Sequence, residues 1–272
     1  IQPMEVIAKA NRMLRDNGMA SLNFDLIYGL PGQSVDSFDR TLDEVLTLAP
    51  DRFAIYSYAH IPWIKPLQKS FEDRLPSAGT KLRLLQLTIE KLTGAGYVYI
   101  GMDHFAKPED AMARALADGT LQRNFQGYST HKGVDLHGFG MSAISHVHGC
   151  YFQNHKELER YYAALNAGER PILRGYRMTE EDRIRYAVIM HIMCTLYIDY
   201  QKISTAIGMD FADHFKAEIE SLEDLEADGL VRREPGGLQV TDLGRLFIRI
   251  IAMRFDAYLQ QERSEGRYSK TV

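Results

Sequence analysis

The chain has 272 residues, a formal net charge of −4 and a calculated pI near 6.2. Hydrophobic residues make up 45% and charged residues 25%, which is typical of a soluble protein with one large or two modest domains. The chain therefore lacks the excess of basic residues that is expected of a protein that binds nucleic acid or an anionic membrane. The longest apolar run, 187–198, is too short to span a bilayer, and no segment resembles a signal peptide, so we expect a cytoplasmic protein.

The first hundred residues alternate predicted helices and strands. We predict helices over 3–17, 35–49 and 78–95, and strands over 21–28, 52–59 and 97–103. This order with short connections favours parallel strands covered by helices. Three strands alone leave both sheet edges exposed, and the chain opens with a helix. We therefore expect an α/β fold that is the second half of a parallel barrel.

The pattern changes after residue 120. Residues 121–154 are rich in glycine, aromatic residues and histidine, and they predict short strands and turns. A predicted helix over 157–167 is followed by the linker 168–171, so we place a domain boundary after residue 168. Residues 169–272 predict a mainly helical, winged-helix-like domain, with helices over 179–198, 211–227 and 242–262 and a hairpin near Pro235.

The sequence contains two cysteines, Cys150 and Cys194, that form no CxxC pair. We interpret them as buried thiols in a reducing compartment. Two cysteines this far apart cannot hold an iron–sulfur cluster, which needs three or four thiolates.

Three sequence motifs are specific enough to indicate a family. They are NFDLIYGLPGQ at 23–33, YSYAHIP at 56–62, and the run from GMDHFA at 101–106 through RNFQGY at 123–128 to GFGMSAIS at 138–145. In order and spacing the chain resembles the oxygen-independent coproporphyrinogen III oxidase family, a family of radical S-adenosylmethionine (SAM) dehydrogenases. The resemblance extends through DGLV at 228–231 and QVT at 239–241 to residue 259, and so covers essentially the whole chain.

The resemblance implies a radical SAM partial (β/α) barrel and a specific chemistry. Family members hold a 4Fe–4S cluster through an N-terminal CxxxCxxC motif, and SAM on the cluster gives a 5′-deoxyadenosyl radical. This radical takes hydrogen from two propionates of coproporphyrinogen III, one SAM for each, and each propionate loses CO₂ to become a vinyl group of protoporphyrinogen IX in haem biosynthesis. Because the chain has no CxxxCxxC motif, we expect a C-terminal part without catalytic residues of its own, inactive alone.

The resemblance also assigns cofactor-binding residues. It implies SAM contacts at Asp25, Ala59 and Ile144. Asp25 is predicted on the polar face of the first strand, which in a parallel barrel faces the interior. Without the resemblance, Ala59 and Ile144 would be interpreted as ordinary core residues. An apolar side chain such as Ile144 also suits a purine face.

Gln126, in RNFQGY, is the residue we associate with the substrate or the second SAM. The same stretch separates this family from the haem chaperones of the same superfamily, which are the alternative function within this fold. A nucleic-acid-binding or protein-docking winged helix is a second alternative. We disfavour nucleic acid because the candidate recognition helix at 211–227 is acidic.

Other charged and metal-ligating residues receive no role from the sequence. Six histidines lie between His104 and His155, most of them in the stretch 131–155, yet nothing supplies a complete ligand set, so we predict no metal site. Four basic residues could meet substrate propionates but remain unassigned: Arg123, Lys132, Arg174 and Arg177. We expect a monomer whose partners are coproporphyrinogen III and an electron donor for the cluster.

Overall fold

The computed structural model describes residues 3–261. Its helices are α1 (Met4–Asp16), α2 (Val35–Leu46), α3 (Ala78–Gly94), α4 (Ala111–Ala117), α5 (Leu158–Asn166), α6 (Glu180–Thr195), α7 (Tyr200–Ile207), α8 (Phe211–His214), α9 (Lys216–Glu220), α10 (Glu223–Ala227), α11 (Asp242–Leu246), α12 (Ile248–Met253) and α13 (Ala257–Gln261), with a 3-10 helix at Pro66–Arg74. Its strands are β1 (Asn23–Tyr28), β2 (Arg52–Ser57), β3 (Val98–Gly101), β4 (His104–Ala106), β5 (Gln122–Asn124), β6 (Gly127–Ser129), β7 (Ile144–Val147), β8 (Cys150–Asn154), β9 (Ile172–Arg177), β10 (Tyr197–Asp199), β11 (Val231–Glu234) and β12 (Gly237–Val240).

The described residues form two compact units. The first unit contains residues 3–121, 126–130 and 258–261. The second contains residues 122–125 and 131–257. None of the helices in residues 3–261 has both the length and the apolarity that crossing a membrane requires.

The first unit is built on a four-stranded sheet with the order β1-β2-β4-β3. Strands β1 and β2 are parallel, as predicted, with Asp25 opposite Ala54. Alternate residues of β1 face the core, where the ring of Tyr28 lies against that of Phe38 from α2. Helix α2 begins at a capping box in which Ser34 accepts a hydrogen bond from the Ser37 amide. The core of this unit therefore lies between the sheet and its connecting helices.

Strand β4 is one of the elements that the sequence prediction missed. It pairs antiparallel with both β2 and β3, so β3 is parallel to β2 but not adjacent to it. The reversal is tight because Gly101 and Met102 both have positive φ angles, 147° and 51°. The predicted third strand over 97–103 is therefore the first half of a hairpin.

The second unit contains two three-stranded antiparallel sheets. One has the order β7-β8-β9 and the other β10-β12-β11. The second sheet and the helices around it form the predicted winged-helix-like arrangement, whose core includes Phe211, Phe215 and Phe255. The expected end of the last helix, Glu262, lies outside the described residues.

The predicted domain boundary after residue 168 falls inside the second unit. Strand β9, which follows the predicted linker, pairs with β8, which precedes it, and Gln153 lies opposite Arg174. Backbone hydrogen bonds between these strands tie 172–177 to 150–154. The boundary itself remains a prediction about how the chain is organised.

Candidate functional site

Asp25 lies on the exposed face of β1, in the alternation that the sequence predicts. Its Oδ1 accepts a hydrogen bond of 2.6 Å from Nδ2 of Asn23. On the neighbouring strand, burial raises the pKa of Tyr56, and the charges of Asp25 and Asp103 raise it further. A carboxylate that is open to solvent and fixed by an amide can accept hydrogen bonds from a ligand's hydroxyl or ammonium groups.

Ala59 follows the end of β2 and is exposed. Its carbonyl oxygen accepts a hydrogen bond of 3.0 Å from Nε2 of Gln68. Oε1 of the same glutamine accepts a bond of 2.7 Å from the amide of Ile61. The 3-10 helix thus fixes the loop after β2, and the methyl group of Ala59 leaves its backbone approachable.

Gln126 is exposed and directly precedes a glycine that the local packing requires. Gly127 has a φ angle of 143°, and a Cβ atom there would lie 3.2 Å from Nε2 of His104. The His104 ring stands edge-on to the rings of Tyr56 and Tyr128, at 6.2 and 5.5 Å. His104 therefore fixes the backbone beside Gln126.

Tyr56 and His104 were not assigned a role from the sequence, yet they connect Asp25 to the glycine that follows Gln126. The charge of Asp25 acts on Tyr56, Tyr56 contacts His104, and His104 packs on Gly127. The alternation of β2 could have placed Tyr56 on the face of Asp25. The contact of His104 depends on the β3–β4 hairpin, which the sequence pattern did not reveal.

Ile144 lies in the second unit, half-buried in β7. The glycine-rich strip before it packs closely on this strand, since a Cβ atom on Gly138 would lie 2.5 Å from the Ile144 carbonyl oxygen. The amide of Gly138 donates a 2.9 Å hydrogen bond to Oγ of Ser145, and Nδ2 of Asn154 donates one of 2.9 Å to the carbonyl of Gly140. The glycine-rich segment 138–140 thus packs directly against the strand that carries Ile144.

The residues present do not fit an iron–sulfur cluster. Both cysteines are free, and burial raises the pKa of the Cys194 thiol to about 12, which keeps it protonated. Within residues 3–261, no group of three or more histidine, cysteine or acidic side chains is placed to hold a metal ion.

Comparison with known proteins gives consistent matches. Residues 178–247 match the family model described as the HemN C-terminal domain. A protein named oxygen-independent coproporphyrinogen III oxidase from Synechocystis is 44% identical over the whole chain, which covers 59% of that protein. Its namesake from Pseudomonas aeruginosa is 47% identical over 93% of the chain, which covers 55% of it. The chain thus spans little more than half the length of these relatives.

A solved structure and a shorter relative extend these matches. The structure titled "Coproporphyrinogen III oxidase (HemN) from Escherichia coli is a Radical SAM enzyme" has a TM-score of 0.91 and 45% identity, and the match covers 95% of this chain and 60% of that one. The relative of the same name from Thermostichus vulcanus is 46% identical over 93% of the chain, which covers 78% of it. With this identity and coverage, the chain belongs to the oxygen-independent coproporphyrinogen III oxidase family.

Proposed function

We propose that this chain is the C-terminal part of an enzyme that converts coproporphyrinogen III to protoporphyrinogen IX by oxidative decarboxylation without oxygen. The observation that carries the proposal is the TM-score of 0.91, over 95% of the chain, to a structure whose title names radical SAM chemistry. The overall α/β fold and the HemN C-terminal domain match agree with it.

The proposed SAM residues fit the cofactor's chemistry. Asp25 offers carboxylate oxygens to ribose hydroxyls or to the methionyl ammonium, Ala59 offers an approachable backbone, and Ile144 offers an apolar surface to a purine. When bound, SAM supplies the chemistry that removes hydrogen from the substrate's propionates. Each of the three residues therefore acts by binding and orientation.

The substrate and the remaining partners belong to the same proposal. Gln126 is exposed, and its side-chain amide can hydrogen-bond the substrate or a second SAM. The 4Fe–4S cluster needs ligands from outside these 272 residues, because the chain has only two cysteines. We propose a monomeric, cytoplasmic enzyme that takes electrons from a donor protein and binds neither nucleic acid nor membrane.

Substitution of Asp25 tests the proposed SAM site. The protein to use is a fusion of this chain to the part of the Synechocystis relative that the match does not span, with its cluster reconstituted. A hydrogen bond to a charged group contributes about 1.5–3 kcal/mol. At about 1.4 kcal/mol per factor of ten, Asp25→Ala should weaken SAM binding roughly ten- to a hundredfold, measured by calorimetric titration.

Two controls separate binding from folding. Asp25→Asn keeps one acceptor oxygen and should weaken SAM binding less than Asp25→Ala. Thermal melts of the same proteins should show little change, since Asp25 is exposed. Wild-type SAM affinity in a folded Asp25→Ala protein would overturn the assignment.

A further inference from the structure

Three residues form one cross-strand row on the β7-β8-β9 sheet. Ile144 is the register partner of Gln153, and Gln153 is the partner of Arg174. Directly opposed residues in antiparallel strands project to the same face. Adjacent strands lie about 4.8 Å apart, so the Arg174 backbone lies roughly 10 Å from that of Ile144.

The guanidinium of Arg174 is held by a neutral group. Its Nε and Nη2 donate hydrogen bonds of 3.0 and 2.8 Å to Oε1 of Gln153. Nε2 of Gln153 in turn donates a bond of 3.1 Å to the Ser142 carbonyl. Because this chain of amides fixes the side chain, less conformational freedom is lost when Arg174 binds a ligand.

The ion pairing of Arg174 differs from that of other arginines in the described part of the chain. Other arginines, such as Arg52 and Arg233, pair with carboxylates at 2.8 and 2.6 Å. Within residues 3–261, Arg174 has no such ion pair, and its side chain is exposed. An oriented guanidinium with an unneutralised charge suits a planar carboxylate.

The same face also presents aromatic surface. The row next to Arg174 contains His146, Tyr151 and Tyr176, and the His146 and Tyr151 rings stack at 4.2 Å. Phe125 stands edge-on to Tyr151 at 6.2 Å. Phe125 and Tyr176 remain 42% and 46% exposed, so a largely apolar macrocycle would find contacts beside Arg174.

We infer that Arg174 binds a carboxylate of a tetrapyrrole substrate, at the edge whose propionates react. The inference rests on the proposed function, because it takes Ile144 as the wall of the SAM site. A propionate that reacts with SAM-derived chemistry must lie near this wall, and Arg174 lies in the same row. Arg174 would then select substrates that carry a carboxylate at that edge.

Two porphyrins distinguish the reacting edge from the rest of the ligand. Coproporphyrin III has four propionates, whereas mesoporphyrin IX has ethyl groups in place of the two that become vinyl groups. Binding of both to the 272-residue chain can be followed by tryptophan and porphyrin fluorescence. Arg174→Ala should weaken the binding of coproporphyrin III at least tenfold and change the affinity for mesoporphyrin IX by no more than twofold. Arg174→Lys should keep part of the affinity for coproporphyrin III.

Arg177 provides the matched control. It lies on the same exposed strand, three residues away and on the opposite face, so Arg177→Ala should leave both affinities unchanged. Equal affinity for coproporphyrin III in wild type and Arg174→Ala would overturn the inference, as would equal losses for the two porphyrins or no binding to the wild type. Failure of the proposed function would show instead as an unchanged SAM affinity in Asp25→Ala.

Discussion

At the scale of single residues, the first unit places exposed polar groups on a rigid support. Asn23 donates a hydrogen bond to the Asp25 carboxylate, and Gln68 donates one to the Ala59 carbonyl. His104 packs on Gly127, the residue after Gln126. In each case a neighbour fixes the backbone or the side chain before any ligand arrives. Such preorganisation reduces the entropy lost on binding.

Gln126→Ala should reduce vinyl formation in the fusion enzyme and leave its iron content unchanged. Loss of one hydrogen bond of about 1–1.5 kcal/mol corresponds to roughly a tenfold loss of kcat/KM. Product can be measured by chromatography of the oxidised porphyrins.

The control for Gln126 is Gln86→Ala. Gln86 lies on the exposed surface of α3, where its Nε2 donates a 3.1 Å bond to Glu90, so its loss should not change turnover. Unchanged turnover in Gln126→Ala would remove Gln126 from the site.

At the scale of secondary-structure elements, the hairpin of β11 and β12 depends on one close contact between α11 and the residue that precedes β11. A Cβ atom on Gly244 would lie 1.8 Å from the carbonyl oxygen of Leu230, and backbone cannot yield as a flexible side chain does. Gly244→Ala should therefore lower the free energy of unfolding by about 1–3 kcal/mol, measured by urea denaturation. Gly236→Ala is the control, because nothing lies within 4 Å of its added methyl group. Equal stability of the two variants would contradict this packing.

The sequence predicted the long periodic elements well and the short ones poorly. Strand β1, helix α2 and helix α3 carry regular apolar spacing, and the structure confirms them. The predicted helix over 211–227 is instead three short helices, α8, α9 and α10. Phe215 and Leu222 lie at the two breaks and are fully buried, so the apolar periodicity continues across them.

The site could be assigned only in part for the same reason. The assignment of Asp25 follows from strand alternation together with the family motif, because both are local features of the sequence. The contact of His104 with Gly127 and the row from Ile144 to Arg174 join residues 23 to 30 positions apart. Such pairs depend on strand register, which no local pattern in this sequence fixes.

At the scale of the whole molecule, a charged network stabilises the second unit. Arg185 donates hydrogen bonds of 2.6 Å to Glu181 and 2.8 Å to Glu218, and one of 3.0 Å to the carbonyl of Phe255. Burial lowers the pKa of Arg185, but its bonds to Glu218 and Glu181 outweigh this and raise it. Glu218 is buried, so losing its cation leaves an uncompensated charge.

Arg185→Ala should therefore lower the free energy of unfolding by about 2–3 kcal/mol, less than for a fully buried pair because solvent screens part of the interaction. Arg232→Ala removes an exposed pair with Glu234 and should change stability by no more than about 0.5 kcal/mol. Urea denaturation measures the free energy of unfolding of both variants. If Arg185→Ala unfolds with the same free energy as Arg232→Ala, the Arg185 network is not stabilising.

Anaerobic turnover of coproporphyrinogen III decides whether this chain is the C-terminal part of a radical SAM enzyme. This chain and its fusion to the unmatched part of the Synechocystis relative are each reconstituted with iron and sulfide and supplied with SAM and a reductant. The chain alone should hold no stoichiometric cluster and form no product, because two separated thiols cannot ligate it. The fusion should bind roughly four irons and form protoporphyrinogen IX. A fusion that binds its cluster and SAM yet leaves coproporphyrinogen III unchanged would contradict the account, and so would turnover by the chain alone.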